Sequence, residues 1–165
     1  FLQEKFPQFQ GEEAAGPASM IIMFVGVLIL VTALPSGWLA DRIGKRKILV
    51  GSGLLAAAGT FVVILAPDLT MMYVGACPVG AGVGFFYTSS WALGTEIVPA
   101  ERAGKFLGIS NLAGAGAGAV GAYIGGTIAD SNSYVLLMTI YGFVFILSIL
   151  MVGGIKPVNA AQEPS

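Results

Sequence analysis

The chain has 165 residues, is 56% hydrophobic and 10% charged, and has a mean hydropathy of +0.85 and a net charge of −1. A soluble domain carries about 25% charged residues, so the composition excludes an ordinary soluble protein and offers no basic surface for nucleic acid. Histidine is absent and Cys77 is the lone cysteine, which removes the commonest general base, the commonest metal ligand and any intrachain disulfide.

No metal, no cofactor and no enzymatic activity are therefore expected, and Cys77 reads as a small packed hydrophobe. The first residue is Phe1, and the opening stretch has no basic segment leading into an apolar core and cleavage site. It is not a signal peptide, and the chain reads as beginning within a longer protein.

Residues 1–16 are polar and mixed, with Glu4, Lys5, Pro7, Gln8, Gln10, Glu12 and Glu13, and read as an extracytoplasmic loop. From Pro17 to Ala40 the chain is apolar and uncharged. About 20 such residues cross the hydrocarbon core as a helix, so 17–40 is the first span, with a kink expected at Pro35. The stretch Gly37-Trp-Leu-Ala-Asp41-Arg42-Ile-Gly44-Lys45-Arg46-Lys47 follows and carries half of all Lys and Arg in the chain. Further spans are expected at about 48–66, 70–95, 106–129 and 134–155. Pro67-Asp68, the polar loop 96–105 and Asp130–Ser133 separate them, and 156–165 forms a polar tail.

Every Asp, Glu, Lys and Arg falls outside these five spans. Arg42, Lys45, Arg46 and Lys47 lie in the first connection, Arg102 and Lys105 in the third, and Lys156 after the last span. The second and fourth connections hold Asp68 and Asp130 without a cation. Positively charged loops stay in the cytoplasm, so the amino terminus is expected outside and the carboxyl terminus inside, in a multi-pass protein of the cell membrane. No carboxylate lies inside a span, where proton-coupling groups usually show themselves.

The fourth expected span carries Gly114, Gly118, Gly121 and Gly125 at spacings that place them on one helical face. In lipid, small residues let helices approach closely, so this face is expected to form a tight helix–helix seam. Gly80/Gly84 and Gly104/Gly108 repeat the four-residue spacing. The run Gly116-Ala-Gly118-Ala-Val-Gly121 spells the dinucleotide fingerprint, but it lies within an apolar helix without the strand and distant acid that motif requires. Nucleotide binding is rejected.

Gly37-x-x-x-Asp41-Arg42-x-Gly44-Lys45-Arg46, placed between two spans, resembles the signature of the major facilitator superfamily, which occupies the cytoplasmic loop between the second and third helices of each six-helix half. Val98-Pro99-x-Glu101-Arg102-x-Gly104-Lys105-x-x-Gly108 resembles the loop between the fourth and fifth helices, with Pro99, Arg102, Gly104 and Lys105 at its characteristic positions. The resemblance implies an all-α membrane protein: about five transmembrane helices of a six-helix half. Helices two to six and eight to twelve both fit, and the polar tail favours the carboxyl-terminal half. The fourth span lacks the Gly-Pro pair of the antiporter pattern.

What the resemblance implies for function is a secondary transporter of a small solute, with alternating access to a central site. Its partners would be the lipid bilayer, the substrate, a coupling ion and the remaining helices of the same transporter. In the family the loop signature acts as a conformational latch. Asp41 would face the amino end of a neighbouring helix, Arg42 and Arg46 would bond across the bundle interface, and Gly37 and Gly44 would allow close approach and the turn. The first and fourth helices of each half line the cavity, which points to Tyr87, Thr88, Ser89 and Ser90 on the third span, beside Trp91. Asn111, Tyr123 and Tyr141 read as packing before site. A membrane assembly or regulatory module that grips partner helices through the glycine face is the alternative from another class.

Overall fold

A computed structural model describes residues 1–98, 103–131 and 133–154. Among them are a short helix α1 (Leu2–Lys5), a 3₁₀ turn (Gly11–Ala14) and five long helices: α2 (Ala15–Ile43), α3 (Lys45–Leu65), α4 (Leu69–Ile97), α5 (Ala103–Asp130) and α6 (Tyr134–Gly153). All five are long and apolar enough to cross a membrane. At 1.5 Å per residue the 20 residues of α6 reach about 30 Å, the thickness of the hydrocarbon core. The protein is an all-α membrane protein, and its large exposed side chains, such as Leu34, Leu65 and Leu112, suit contact with lipid or further helices.

The basic stretch differs from the loop expected at 41–47. Helix α2 runs through Pro35 to Ile43 and α3 begins at Lys45, so Gly44 alone separates them. Its φ of +104° suits glycine, which has no Cβ to clash there. Its amide closes α2 on the Ala40 carbonyl, and its own carbonyl accepts from Lys47 and Ile48 of α3. At the far end of the pair, Asp68 caps α4 by accepting from the Met71 amide at 2.8 Å, a contact worth about 1 kcal/mol.

Helix α4 lies between α2 and α3 and packs extensively on both. Its glycines serve two faces. A Cβ at Gly82 would sit 2.7 Å from the Ala56 nitrogen and Ser52 carbonyl of α3, and one at Gly75 2.9 Å from Val63. Gly80 and Gly84 face α2 instead, with Cβ positions 2.8 Å from the Val25 carbonyl and 2.7 Å from the Ile29 carbonyl. Helix α6 packs on α3, where Gly53 meets Ile149 and Gly142 meets Phe61. Apart from Leu49 and Val152, the buried residues of these helices toward the seams are small: Ala40, Ala56, Ala57, Ala76, Ser36, Ser52, Thr60 and Ser89. Packing through small residues is how helices associate where lipid removes the hydrophobic drive. The hydroxyls of Ser52 and Thr60 donate to carbonyls of their own helix.

Residues 1–16, expected to be a loop, are folded. Leu2, Phe6 and Ala14 are buried with Ala66 and Met72, flanked by Phe1, Phe9, Ile21, Val63 and Leu69. Polar residues outnumber these apolar ones, which is why composition alone reads as loop. The Lys5 ammonium donates to the carbonyls of Val63 and Ile64 at the carboxyl end of α3. A cation there is favoured by the helix dipole, while burial pulls the lysine below its ordinary pKa.

Candidate functional site

Two groups of candidate residues lie toward the basic end of the bundle: the turn around Gly44 and the hydroxyl residues of α4. In the turn, each cation has its own environment. The Arg42 guanidinium stacks 4.2 Å from the Trp38 ring centroid. Lys45 lies 4.0 Å from the Asp41 carboxylate, whose side chain is 71% exposed, so that pair contributes only about 0.5 kcal/mol. Arg46 reaches a residue 107 positions away and donates to the Gly153 carbonyl at the last turn of α6. Carbonyls at a helix end lack intrahelical donors and carry the negative end of the dipole. Arg46 thereby ties the start of α3 to the end of α6. Gly37 has open space around its Cβ position, so the close approach expected there has no partner among the described residues.

The hydroxyl group of α4 is not one patch. Tyr87 is 65% exposed. Thr88 donates to the Gly84 carbonyl at 3.2 Å and Ser90 to the Tyr87 carbonyl at 2.9 Å. Ser89 is fully buried and faces Ser36 of α2 at 3.5 Å. Successive helical residues point 100° apart on a 3.6-residue turn, so four in a row cannot share a face. Of these, Ser90 opens onto a groove of about 330 Å³ between the end of α4 and the start of α5, lined also by Trp91, Gly94, Phe106, Ile109 and Ser110.

Gly104 and Lys105 lie in the first turn of α5, and no described residue comes within 4 Å of a Cβ at Gly104. Pro99 and Arg102 lie outside the described residues. The glycine face of α5 is left largely uncovered by the described residues. Among the described residues, Gly114, Gly118 and Gly121 have nothing within 4 Å of a Cβ, and of the four only Gly125 meets a partner, the Tyr141 hydroxyl at 3.1 Å. Their spacing was read as a seam, but spacing does not say whether this chain supplies the other side. Asn111 and Tyr123 are exposed on the same helix. Cys77 is also exposed, on the outer surface of α4, and not packed as expected.

Two residues that matter here escaped the sequence reading. Ser36 is completely buried opposite Ser89; its only signal is a position four residues after Thr32, whose hydroxyl lies 3.4 Å from the Ala81 carbonyl of α4. Lys5 is flanked by Phe1, Leu2, Phe6 and Phe9, an interleaving that could have marked it as seated.

Comparison with known proteins agrees with this architecture. The family model of the Major Facilitator Superfamily matches residues 8–165. The chain is 28% identical over 94 residues to myo-inositol transporter 2 of Schizosaccharomyces pombe, covering 57% of this chain and 17% of that protein. It is 33% identical over 90 residues to the minor myo-inositol transporter IolF of Bacillus subtilis, covering 54% and 20%. It is 27% identical over 109 residues to an uncharacterized MFS-type transporter of Mycobacterium tuberculosis, covering 66% and 15%. The matched stretches thus span no more than a fifth of these relatives. With its glycine-jointed basic turn and its apolar helices, the chain belongs to the Major Facilitator Superfamily.

Proposed function

We propose that the protein containing this chain is a secondary transporter that carries a small solute across the cell membrane by alternating access, and that the Gly37–Arg46 stretch is its cytoplasmic latch. The observation that carries this reading is the Arg46 bond to the end of α6. It ties the turn to α6, which supports a role beyond that of a topology signal. Asp41, with an exposed carboxylate three residues before the joint, would meet a helix from the rest of the transporter. The glycine face of α5 would receive another such helix. Pro99, Arg102, Gly104 and Lys105 would form the second cytoplasmic loop, and 156–165 a cytoplasmic tail.

The described part of each span presents hydroxyls and not charges. Tyr87 and Ser90 are the proposed substrate contacts on α4, and Thr88 and Ser89 serve the helix and its seam with α2. A neutral, hydroxyl-bearing solute fits such a surface, and two relatives are named as myo-inositol transporters. Family membership favours transport over enzymatic chemistry or a purely structural role.

The test is uptake by the intact protein in vesicles, across a panel of polyols and sugars, with and without a proton gradient. Asp41→Ala should reduce uptake about tenfold while leaving insertion intact; removing one charge-assisted hydrogen bond to a helix end costs about 1.5–3 kcal/mol. Unchanged uptake by this variant would remove the latch. Absence of uptake by the wild type for every solute would favour the assembly-module reading.

A further inference from the structure

We infer that the slot between α2, α3 and α4 at the basic end seats an acyl chain of an anionic phospholipid, whose phosphate is held by Lys47. The slot has a volume of about 190 Å³ and is lined by Leu39 of α2, Phe85 of α4, and Lys47, Ile48, Gly51, Ser52 and Leu55 of α3. Its walls are largely apolar, the Ser52 hydroxyl being taken by the Leu49 carbonyl, and its rim is a lysine. Gly51 keeps it open: a Cβ there would meet nothing within 4 Å.

The neighbouring cations are engaged. Arg42 stacks on Trp38, Lys45 lies against Asp41, and Arg46 donates to Gly153. Lys47 is exposed, and its ammonium makes no hydrogen bond or ion pair among the described residues. It also stands in the first turn of α3, where the positive end of the helix dipole disfavours a cation. An anion seated there relieves both. A lysine at the end of a membrane helix lays its methylenes along apolar surface and sends its ammonium to the headgroup layer. With four cations and one carboxylate between Asp41 and Lys47, the turn selects an anionic headgroup over a zwitterionic one.

This inference rests on the chain being embedded in a bilayer and does not depend on transport. The intact protein, purified with added phosphatidylglycerol or phosphatidylcholine, is examined by native mass spectrometry for retained lipid. Preferential retention of phosphatidylglycerol is expected. Lys47→Ala should weaken it about fivefold, the effect of one lysine near an anionic surface, and Lys47→Arg should restore it. Gly51→Leu should abolish retention with every charge intact. Should that variant not fold, Leu55→Trp reports directly: its fluorescence is quenched by brominated-chain phosphatidylglycerol, and less by the phosphatidylcholine equivalent.

Equal retention of the two lipids would overturn the inference. So would a Lys47→Ala loss without a Gly51→Leu loss, which would mean unseated surface attraction. Crosslinking of Gly51→Cys to another helix of the same protein would show a helix in the slot, and would also overturn it. Displacement by soluble glycerol phosphate would show a phosphate site without a seated chain, with the same result. Failure of the wild type to insert into vesicles would refute the membrane reading itself, and is distinguishable from all of these.

Discussion

Helices α4 and α5 are both rich in glycine, yet they stand differently in the bundle. In α4, Gly75 and Gly82 are filled from one side by α3, and Gly80 and Gly84 from the other by α2. In α5, Gly114, Gly118 and Gly121 face nothing among the described residues, and Gly125 alone of the four meets a neighbour, Tyr141 of α6. The same residue at the same spacing is a finished seam in one helix and an open face in the other. Glycine spacing tells where backbones can approach; which helix approaches is decided by the fold. The charged ends repeat the lesson, since Arg46 finds Gly153 within the chain whereas Asp41 remains exposed.

The comparison is broken most directly at Gly82. A leucine there would collide with the backbone of α3 at Ala56 and Ser52. Overpacking costs about 1–3 kcal/mol even for added methylenes among movable side chains, and backbone cannot yield as they do. Gly82→Leu should therefore abolish monodisperse protein in detergent size-exclusion chromatography. Gly118→Leu is the contrasting variant. It should leave the packing of α2, α3, α4 and α6 unchanged in thermal unfolding of this segment, and in the intact protein it should abolish uptake if a further helix lies on α5. Full uptake by Gly118→Leu would mean the face meets only lipid. The smallest effect is expected at the polar contact between α2 and α4. A double-mutant cycle with Ser36→Ala and Ser89→Ala should give a coupling of about 0.6 kcal/mol, the average for such bonds between membrane helices. A coupling near zero would leave that seam to glycine packing alone.

Much of the fold was legible in advance. Uninterrupted apolar stretches marked the five spans, since a backbone in lipid must bond within its own helix. Pro67-Asp68 marked a break, and Asp68 supplied a cap from one side chain acting locally. The joint at Gly44 was legible as a turn but not as a single residue, because charged residues are good helix formers that also suit loops. The candidate site was legible only in part. Tyr87, Thr88, Ser89 and Ser90 are adjacent in sequence, but helical geometry sends them to the exposed surface, to their own helix and to α2. The folded cap at 1–14 was missed because its apolar residues are fewer than its polar ones and act only through Ala66 and Met72.

The sequence by itself determined that this protein lives in a bilayer, where its helices break, and which end carries the positive charge. Those properties depend on residues within a turn or two of one another and on their transfer between water and lipid. Tertiary structure alone decided which glycines are filled, that Lys5 caps α3 and Arg46 caps α6, and that Ser36 faces Ser89. Each of those polar contacts joins residues more than fifty positions apart, and their meeting depends on how whole helices cross.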